Sequence, residues 1–260
     1  MAHYTTEVGG GGVVTATRGN HGQSIGLAAH KYGVPCVVCV PHGNNPEKNA
    51  AMCAYGIELV EYGNDFDEAR VYAEGLCVER GLHYVHSANE PHLITGVATA
   101  WLEVLEDLSN FDTVLIPIGG GSSVCGAITV LRALRPEVEI IGVQAENAPA
   151  VYNSWKAGTR VETQSANTIA DGLATRVAFE LPAAILTDEL DDFVLVSEEA
   201  IENAIRQVIR TTHNLIEGAA AAPIAAVMAN PDRFRNKRVV AVISGGNIDE
   251  ATLVKVLSRA

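Results

Sequence analysis

Five consecutive small residues, Gly119-Gly120-Gly121-Ser122-Ser123, separate an apolar run ending in Ile116-Pro117-Ile118 from a segment with helical periodicity. The pattern predicts a strand, a tight loop and a helix. Glycines let backbone N–H groups approach an anion closely, and the helix N-terminus adds unpaired N–H groups and the positive end of its dipole. This is the chemistry of a phosphate-binding loop. The alternative is a strand-to-helix turn that binds nothing.

The spacing of the glycines does not fit the common nucleotide-binding loops. After Gly119 and Gly121 the next glycine is Gly126, so the G-x-G-x-x-G pattern fails, and no Gly-Lys-Ser/Thr follows. A dinucleotide-binding domain also needs a ribose-binding acid, which the sequence does not supply.

A second segment with anion-binding chemistry is Thr17-Arg18-Gly19-Asn20-His21, which follows the apolar run Val13–Ala16. Because a helical pattern comes next, the segment offers a second helix N-terminus to an anion. The alternative is a plain capping loop with Asn20 as the N-cap.

Two more segments combine small and polar residues. Glu217-Gly218-Ala219 lies between an apolar pair and an alanine run, so burial is expected to raise the pKa of Glu217 if its carboxylate is unpaired. The alternative is a helix N-terminal acid favoured by the dipole. Ser244-Gly245-Gly246-Asn247 follows an apolar run, and its alternative is a turn after an edge strand.

In this order the four segments resemble the threonine/serine dehydratase (ammonia-lyase) family, fold-type II enzymes similar to the tryptophan synthase β-subunit that use pyridoxal 5′-phosphate (PLP). The resemblance implies that PLP and the carboxylate of a small hydroxy amino acid bind to separate sets of residues. The cofactor-binding residues would be Asn20 at the phenolic oxygen, Gly119, Gly120, Gly121, Ser122 and Ser123 at the phosphate, Glu217 near the ring, and Ser244 at the pyridine nitrogen. The substrate-binding residues would be Thr17, Arg18, Gly19 and His21.

The resemblance implies β-elimination, which converts the hydroxy amino acid to a 2-oxo acid and ammonia. Arg18 stands where racemases of this group carry a serine that acts as the base on the second face. An arginine stays charged and cannot take that role, so racemisation is not expected. Ser244, a neutral hydroxyl, favours elimination over transamination because it does not keep the pyridine nitrogen protonated.

No catalytic residue is identified, because the family's Schiff-base lysine belongs upstream of the Gly-Asn-His motif. Nineteen residues precede Asn20, and none is a lysine. The sequence therefore predicts an N-terminally truncated member of the family with impaired activity. The alternative is an inactive homologue, or a non-enzymatic protein that binds PLP or another anion. The lysines of the chain all lie outside the expected context: Lys31, Lys48, Lys156, Lys237 and Lys255.

Metal and disulfide chemistry are not expected. Some relatives bind a divalent cation at positions that correspond to Gln144, Ala148 and Ala150, none of which supplies a carboxylate. Asp171 matches a family signature and is interpreted as part of a structural turn. Cys36-Val37-Val38-Cys39 matches C-x-x-C, but the two thiols would point to opposite faces of a strand and are interpreted as core residues.

The remaining pattern alternates β-branched runs with helical stretches, which predicts α/β domains with parallel sheets. The resemblance implies a small domain over 12–89 and a large, incomplete domain over 90–260, and we expect residues 1–11 to be a flexible lead-in. Predicted strands cover 13–16, 36–40, 58–61, 113–118, 139–143, 193–196 and 239–243. Predicted helices cover 23–32, 47–54, 65–80, 93–108, 123–134, 198–212 and 248–257.

Composition limits the partners of the chain. The 260 residues carry a formal net charge of −13 without a basic run, which argues against nucleic acid as a partner. No apolar stretch approaches a membrane span, and the first residues lack a signal-peptide pattern. We therefore expect a cytoplasmic protein. We also expect a homodimer.

Overall fold

The computed structural model describes residues 11–259, which divide into two compact units between Ser87 and Ala88. The predicted lead-in lies outside the described residues except for Gly11. Each unit contains one four-stranded sheet in which every pairing is parallel, as the alternating pattern predicts. Between residues 11 and 259, no helix is both long and apolar enough to cross a membrane.

The first unit has the strand order β3-β2-β1-β4. Its strands are β1 (Val13–Ala16), β2 (Cys36–Val40), β3 (Glu58–Glu61) and β4 (His83–Tyr84), and its helices are α1 (Asn20–Tyr32), α2 (Pro46–Cys53) and α3 (Phe66–Arg80). The start of α2 follows from its sequence, because the Asn45 side chain accepts from the N–H groups of Glu47 and Lys48, and Pro46 occupies the first turn.

Strand order predicts where this unit binds a ligand. The chain runs from β1 through β2 to β3 and then returns to the other side of β1 to form β4. In open parallel sheets ligands bind at the carboxyl ends of the strands where the order reverses. The Thr17–His21 segment follows β1, and Val85 follows β4, so both lie at that point.

The cysteines of β2 are core residues, as predicted. Cys36 and Cys39 are free and buried. Burial raises the pKa of Cys36 to about 12 and that of Cys39 to about 11, so neither thiol ionises readily.

The second unit has the strand order β7-β6-β5-β8. Its strands are β5 (Thr113–Pro117), β6 (Glu139–Ala145), β7 (Asp192–Val196) and β8 (Val239–Ala241). Its helices are α4 (Pro91–Asp107), α5 (Ser122–Leu134), α6 (Ala150–Ala157), α7 (Glu180–Glu189), α8 (Glu198–Thr212), α9 (Gly218–Ala229) and α10 (Glu250–Ser258), with a 3₁₀ turn at Asp171–Leu173.

Helices cover both faces of this sheet. Ile116 faces a core shared with Leu131 of α5, and the preceding residue Leu115 faces a core shared with Ile205 and Ala221 of α8 and α9. The order reverses at β5, which has β6 on one side and β8 on the other. The expected ligand crevice of this unit therefore lies at the carboxyl ends of β5 and β8.

The opposite ends of the same strands carry an ion-pair network. Arg233 pairs with Glu139 at 3.0 Å and with Asp192 at 2.6 Å, the first residues of β6 and β7. Glu139 also accepts hydrogen bonds from Lys237 and from the Thr113 hydroxyl of β5. The network joins three strands at the end that lies away from the crevice.

Candidate active site

The Gly119–Ser123 loop leaves the carboxyl end of β5 and enters α5. Ile118 N–H still donates to Val143 O at 2.8 Å, so the loop begins directly at the sheet. Gly121 is the N-cap of α5 with a φ of 101°, no side chain caps the helix, and its first turn contains no acidic residue. The first N–H groups of a helix lack intrahelical partners, so this end of α5 can donate to an anion.

Close packing requires glycine in this loop. A Cβ atom on Gly119 would lie 2.0 Å from Gly172 O, and one on Gly120 would lie 2.7 Å from the Ala88 Cβ. Gly121 combines a Cβ position 2.8 Å from Pro182 with a positive φ that side chains rarely adopt. Its neighbours therefore fix the loop, and its amides are oriented by the fold itself.

The 3₁₀ turn connects this loop to the Glu217–Ala219 segment. Gly172 approaches the loop through its carbonyl oxygen, and a Cβ atom on Gly172 would lie 3.0 Å from the Ala219 Cβ. A Cβ atom on Gly218 would lie 2.9 Å from the Ala170 Cα. Leu173 N–H closes the turn by donating to Ala170 O at 2.7 Å. Asp171 thus belongs to a turn that packs between two of the predicted segments.

The Ser244–Asn247 segment joins the same group. Glu217 N–H donates to Gly245 O at 3.1 Å, and a Cβ atom on Gly246 would lie 2.8 Å from Leu215 O. Glu217 is only 5% exposed and is the N-cap of α9, but its side chain does not accept from the helix amides. Ser244 is exposed. Three of the four predicted segments therefore meet at the carboxyl ends of β5 and β8.

The Thr17–His21 segment belongs to the first unit. Gly19 is the N-cap of α1 and Asn20 is its first residue, so the alternative in which Asn20 caps the helix is wrong. Thr17 is buried, and its hydroxyl accepts from Gly19 N–H at 2.9 Å and from Gly22 N–H at 3.3 Å. The Thr17 hydroxyl thus holds the turn that precedes α1.

His21 points back to the sheet. Its Nε2 lies 3.0 Å from the hydroxyl of Thr15 on β1 and 3.4 Å from Val85 O. Burial lowers the pKa of His21 to about 4, although the hydrogen bond to Val85 O acts in the other direction. The imidazole is therefore uncharged near neutral pH.

Sequence reasoning missed Lys48, which is only 6% exposed. A Cβ atom on Gly19 would lie 2.5 Å from the Lys48 Cδ, and one on Gly22 would lie 2.4 Å from the Met52 Sδ. Helix α2 thus packs its side chains at positions 48 and 52 against two glycines at the start of α1. The signal in the sequence is the i, i+4 spacing of Lys48 and Met52 behind the Asn45-Pro46 helix start.

A cavity of about 420 Å³ between α6 and α7 includes none of the predicted site residues. Two of its polar side chains are used by the fold. Ser154 donates to Ala150 O, and Trp155 Nε1 donates to Leu186 O at 3.1 Å.

The positions where some relatives bind a cation serve the fold here. Gln144 is fully buried, and its Oε1 accepts from Tyr152 N–H at 3.0 Å in the first turn of α6. Within residues 11–259, no group of three or more His, Cys, Asp or Glu side chains is arranged to hold a metal ion.

The chain is similar to known proteins in sequence and in fold. A family model described as pyridoxal-phosphate dependent enzyme matches residues 1–245. The catabolic L-threonine dehydratase of Staphylococcus aureus (strain USA300) is 35% identical over 250 residues, which are 95% of this chain and 72% of that protein.

Two solved structures are similar in fold and sequence. The processed form of threonine deaminase isoform 2 from Solanum lycopersicum has a TM-score of 0.91 and 33% identity, and the match covers 98% of this chain and 75% of that chain. Serine racemase from Dictyostelium discoideum has a TM-score of 0.83 and 31% identity, and the match covers 94% of this chain and 78% of that chain.

Proposed function

Because the chain belongs to the family of pyridoxal-phosphate dependent enzymes, in its fold-type II threonine/serine dehydratase group, we propose that it converts threonine or serine to a 2-oxo acid and ammonia. By family it is a PLP-dependent ammonia-lyase. The names of two relatives, a threonine dehydratase and a threonine deaminase, support a small hydroxy amino acid as the substrate.

One observation carries the proposal: three segments of suitable chemistry meet at the carboxyl ends of β5 and β8. The loop before α5 supplies amide donors, Glu217 supplies a buried carboxylate, and Ser244 supplies a hydroxyl. Their connections run through backbone contacts, from Gly119 to Gly172 and from Glu217 to Gly245. A site tied together by backbone keeps its geometry without a ligand, which favours binding.

The loop fits the phosphate of PLP. Its backbone is fixed by neighbours, it has no acidic residue in the first turn of α5, and the helix behind it has thirteen residues. We propose that the amides of Gly119–Ser123 bind the phosphate, that the Ser244 hydroxyl donates to the pyridine nitrogen, and that Glu217 lies near the ring. When bound, PLP supplies the electron withdrawal that lets an amino acid lose its α-proton.

The segment before α1 is proposed to bind the amino acid. Gly19 and Asn20 stand at the N-terminal end of a thirteen-residue helix, where N–H groups favour a carboxylate. Asn20 is assigned to the phenolic oxygen of PLP. The residues assigned to substrate binding are Thr17, Arg18, Gly19 and His21. The Thr17 hydroxyl acts through the turn that it holds together.

We expect residues 1–260 alone to turn over slowly. None of their five lysines is assigned as the covalent partner of PLP, and Lys48 is the one that is buried. Lysine is the residue that forms the covalent bond to PLP in such enzymes. Lengthening the chain with the preceding segment of the Staphylococcus aureus relative is expected to raise turnover.

The test is a PLP titration followed by absorbance, with inorganic phosphate as competitor, and assays for 2-oxobutanoate from L-threonine and pyruvate from L-serine. We expect phosphate-sensitive PLP binding by residues 1–260 and product formation by the lengthened chain. If the lengthened chain binds PLP but forms no 2-oxo acid, the non-enzymatic alternative is correct. Robust turnover by residues 1–260, with a borohydride-reducible adduct on one of the five lysines, would contradict the expected impairment. Light scattering tests the predicted homodimer.

A further inference from the structure

Two hydrogen bonds determine which nitrogen of His21 carries its proton. The Thr15 hydroxyl lies 2.7 Å from Val85 O and 3.0 Å from His21 Nε2. A carbonyl oxygen only accepts, so the single hydroxyl proton of Thr15 goes to Val85 O, which is much closer than Ala16 O at 3.5 Å. The Thr15 oxygen then accepts from His21, and Nε2 carries the proton of the ring.

The other nitrogen is left as an acceptor. Because the ring is uncharged, a proton on Nε2 leaves Nδ1 with a free lone pair. Among residues 11–259, no hydrogen bond to Nδ1 is present. Around this region, repulsion between His86, which follows β4, and His21 disfavours a second proton, and Arg70 on α3 pairs with Asp67 and Glu74. The Tyr84 phenol on β4 is uncharged because burial raises its pKa.

These hydrogen bonds lie where the strand order of the first unit reverses. Thr15 lies on β1, Val85 follows β4, and His21 lies in the first turn of α1. The position is the expected ligand crevice of this unit. His21 also follows Asn20 directly, so its ring is held at the end of the proposed substrate segment.

We propose that Thr15 is a positioning residue of the active site: its hydroxyl keeps His21 in the Nε2-protonated tautomer, so that Nδ1 accepts a hydrogen bond from the bound hydroxy amino acid. The first part of this proposal concerns the protein alone. The second part rests on the proposed function, because it requires an amino acid at this segment.

The matched variants are Thr15→Val, which keeps the shape and removes the hydroxyl, and Thr15→Ser, which keeps the hydroxyl. In the lengthened chain, we expect Thr15→Val to raise KM for L-threonine about tenfold, the effect of one lost hydrogen bond, with a much smaller change in kcat. PLP affinity should not change, and Thr15→Ser should behave like the parent chain. A purely structural role would lower the melting temperature without separating KM from kcat.

Nitrogen NMR of the full chain, labelled at histidine and loaded with PLP, tests the tautomer directly. His21→Gln assigns the His21 signals by their disappearance. At pH 7 we expect a protonated Nε2 and an unprotonated Nδ1 in the parent chain and in Thr15→Ser, and a loss of this single tautomer in Thr15→Val. A protonated Nδ1 in the parent chain would overturn the proposal.

The same spectra separate this inference from the proposed function. Adding L-threonine should shift the Nδ1 signal of the parent chain, and this readout does not require turnover. An unchanged signal at saturating L-threonine would overturn the contact between His21 and the amino acid. If the signal shifts but no chain forms a 2-oxo acid, the proposed reaction fails while the role of Thr15 stands.

Discussion

Gly119 packs so closely against Gly172 that a Cβ atom on residue 119 would lie 2.0 Å from the carbonyl oxygen of residue 172. The proposed phosphate loop and the turn that contains Asp171 therefore leave no room for even a methyl group between them. Because that turn also contacts Ala219, a displacement at residue 119 would pass to the segment of Glu217. This contact makes the loop a sensitive place to test the site.

Gly119→Ala should weaken PLP binding at least about tenfold, because the loop must move away from Gly172 and its amides lose their orientation. Gly158→Ala is the matched control: residue 158 also has a positive φ, 64°, but a Cβ atom there meets nothing within 4 Å. The control should cost only about 1 kcal/mol of stability and leave PLP binding unchanged. Equal PLP affinities for the two variants, measured by absorbance titration, would contradict the assignment of the loop.

Arg18 should prevent racemisation. Its guanidinium stays protonated and cannot remove a proton from the second face of the amino acid. We expect the lengthened chain to form pyruvate from L-serine without D-serine, although a serine racemase is among the similar structures. Chiral chromatography measures the product, with Arg18→Ser as the variant expected to release some D-serine. If the lengthened chain with Arg18 forms D-serine at a rate close to that of pyruvate, the prediction is refuted.

Glu139 should stabilise the second unit in a pH-dependent way. Burial alone would raise its pKa, but hydrogen bonds from Lys237, Thr113 and Arg233 outweigh burial and hold the pKa below its usual range. A carboxyl with a depressed pKa stabilises the fold above its unfolded pKa, and this stability is lost as the pH falls through the folded value.

We expect Glu139→Gln to lower the free energy of unfolding by about 1–3 kcal/mol at pH 7 and by much less at pH 3. The matched control is Glu162→Gln, whose partner Arg160 is exposed, and which should cost less than about 1 kcal/mol. Urea unfolding at both pH values makes the comparison. If Glu139→Gln lowers the free energy of unfolding equally at both pH values, the network acts through packing alone.

His21, which is partly buried, and His86, which is buried, should destabilise the chain in acid. Burial lowers the pKa of His21 to about 4, and burial together with Arg70 and His21 lowers that of His86 to about 4, from the ordinary value of 6.5. Below pH 6.5 the unfolded chain therefore binds protons that the folded chain does not bind until about pH 4. The free energy of unfolding should fall over this interval by about 1.4 kcal/mol per pH unit for each histidine.

Replacing one of these histidines should remove its contribution to the change of unfolding free energy with pH. His86→Gln is the variant, and His30→Gln, at the exposed end of α1, is the control for the loss of any histidine. Unfolding free energies measured at half-unit steps between pH 4 and 7 give the slopes. Identical slopes for the two variants would mean that His86 takes up its proton in the folded state.

The sequence predicted the elements with clear periodicity and missed those without it. Strands β1, β2 and β3 and helix α8 have the predicted bounds, and Ser197 caps α8 by accepting from Ala200 N–H. Helix α9 was missed because seven of its twelve residues are alanine and most of the helix is buried, so no apolar stripe appears. Strand β4 was missed because two residues are too few to show alternation.

The candidate site shows the same division between local and distant information. The glycine-rich loop could be predicted because its neighbours along the chain define it. The Thr15 hydroxyl bonds a carbonyl 70 residues away, and Gly119 contacts Gly172, so neither relationship appears in any local pattern. Lys48 was assigned no role because its spacing to Met52 predicts a shared helix face but not the contact of its stem with Gly19.

The Arg233 network and the loop before α5 occupy opposite ends of the same strands, with the length of the sheet between them. Substitutions at one end can therefore accumulate with little effect on the other, since distant sites contribute almost additively. In a lineage that adapts to a higher temperature, substitutions could strengthen the Arg233 network. In a lineage that adapts to a new substrate, substitutions could change the loop before α5. Adaptation to heat and adaptation of chemistry would then proceed along separate routes in this fold.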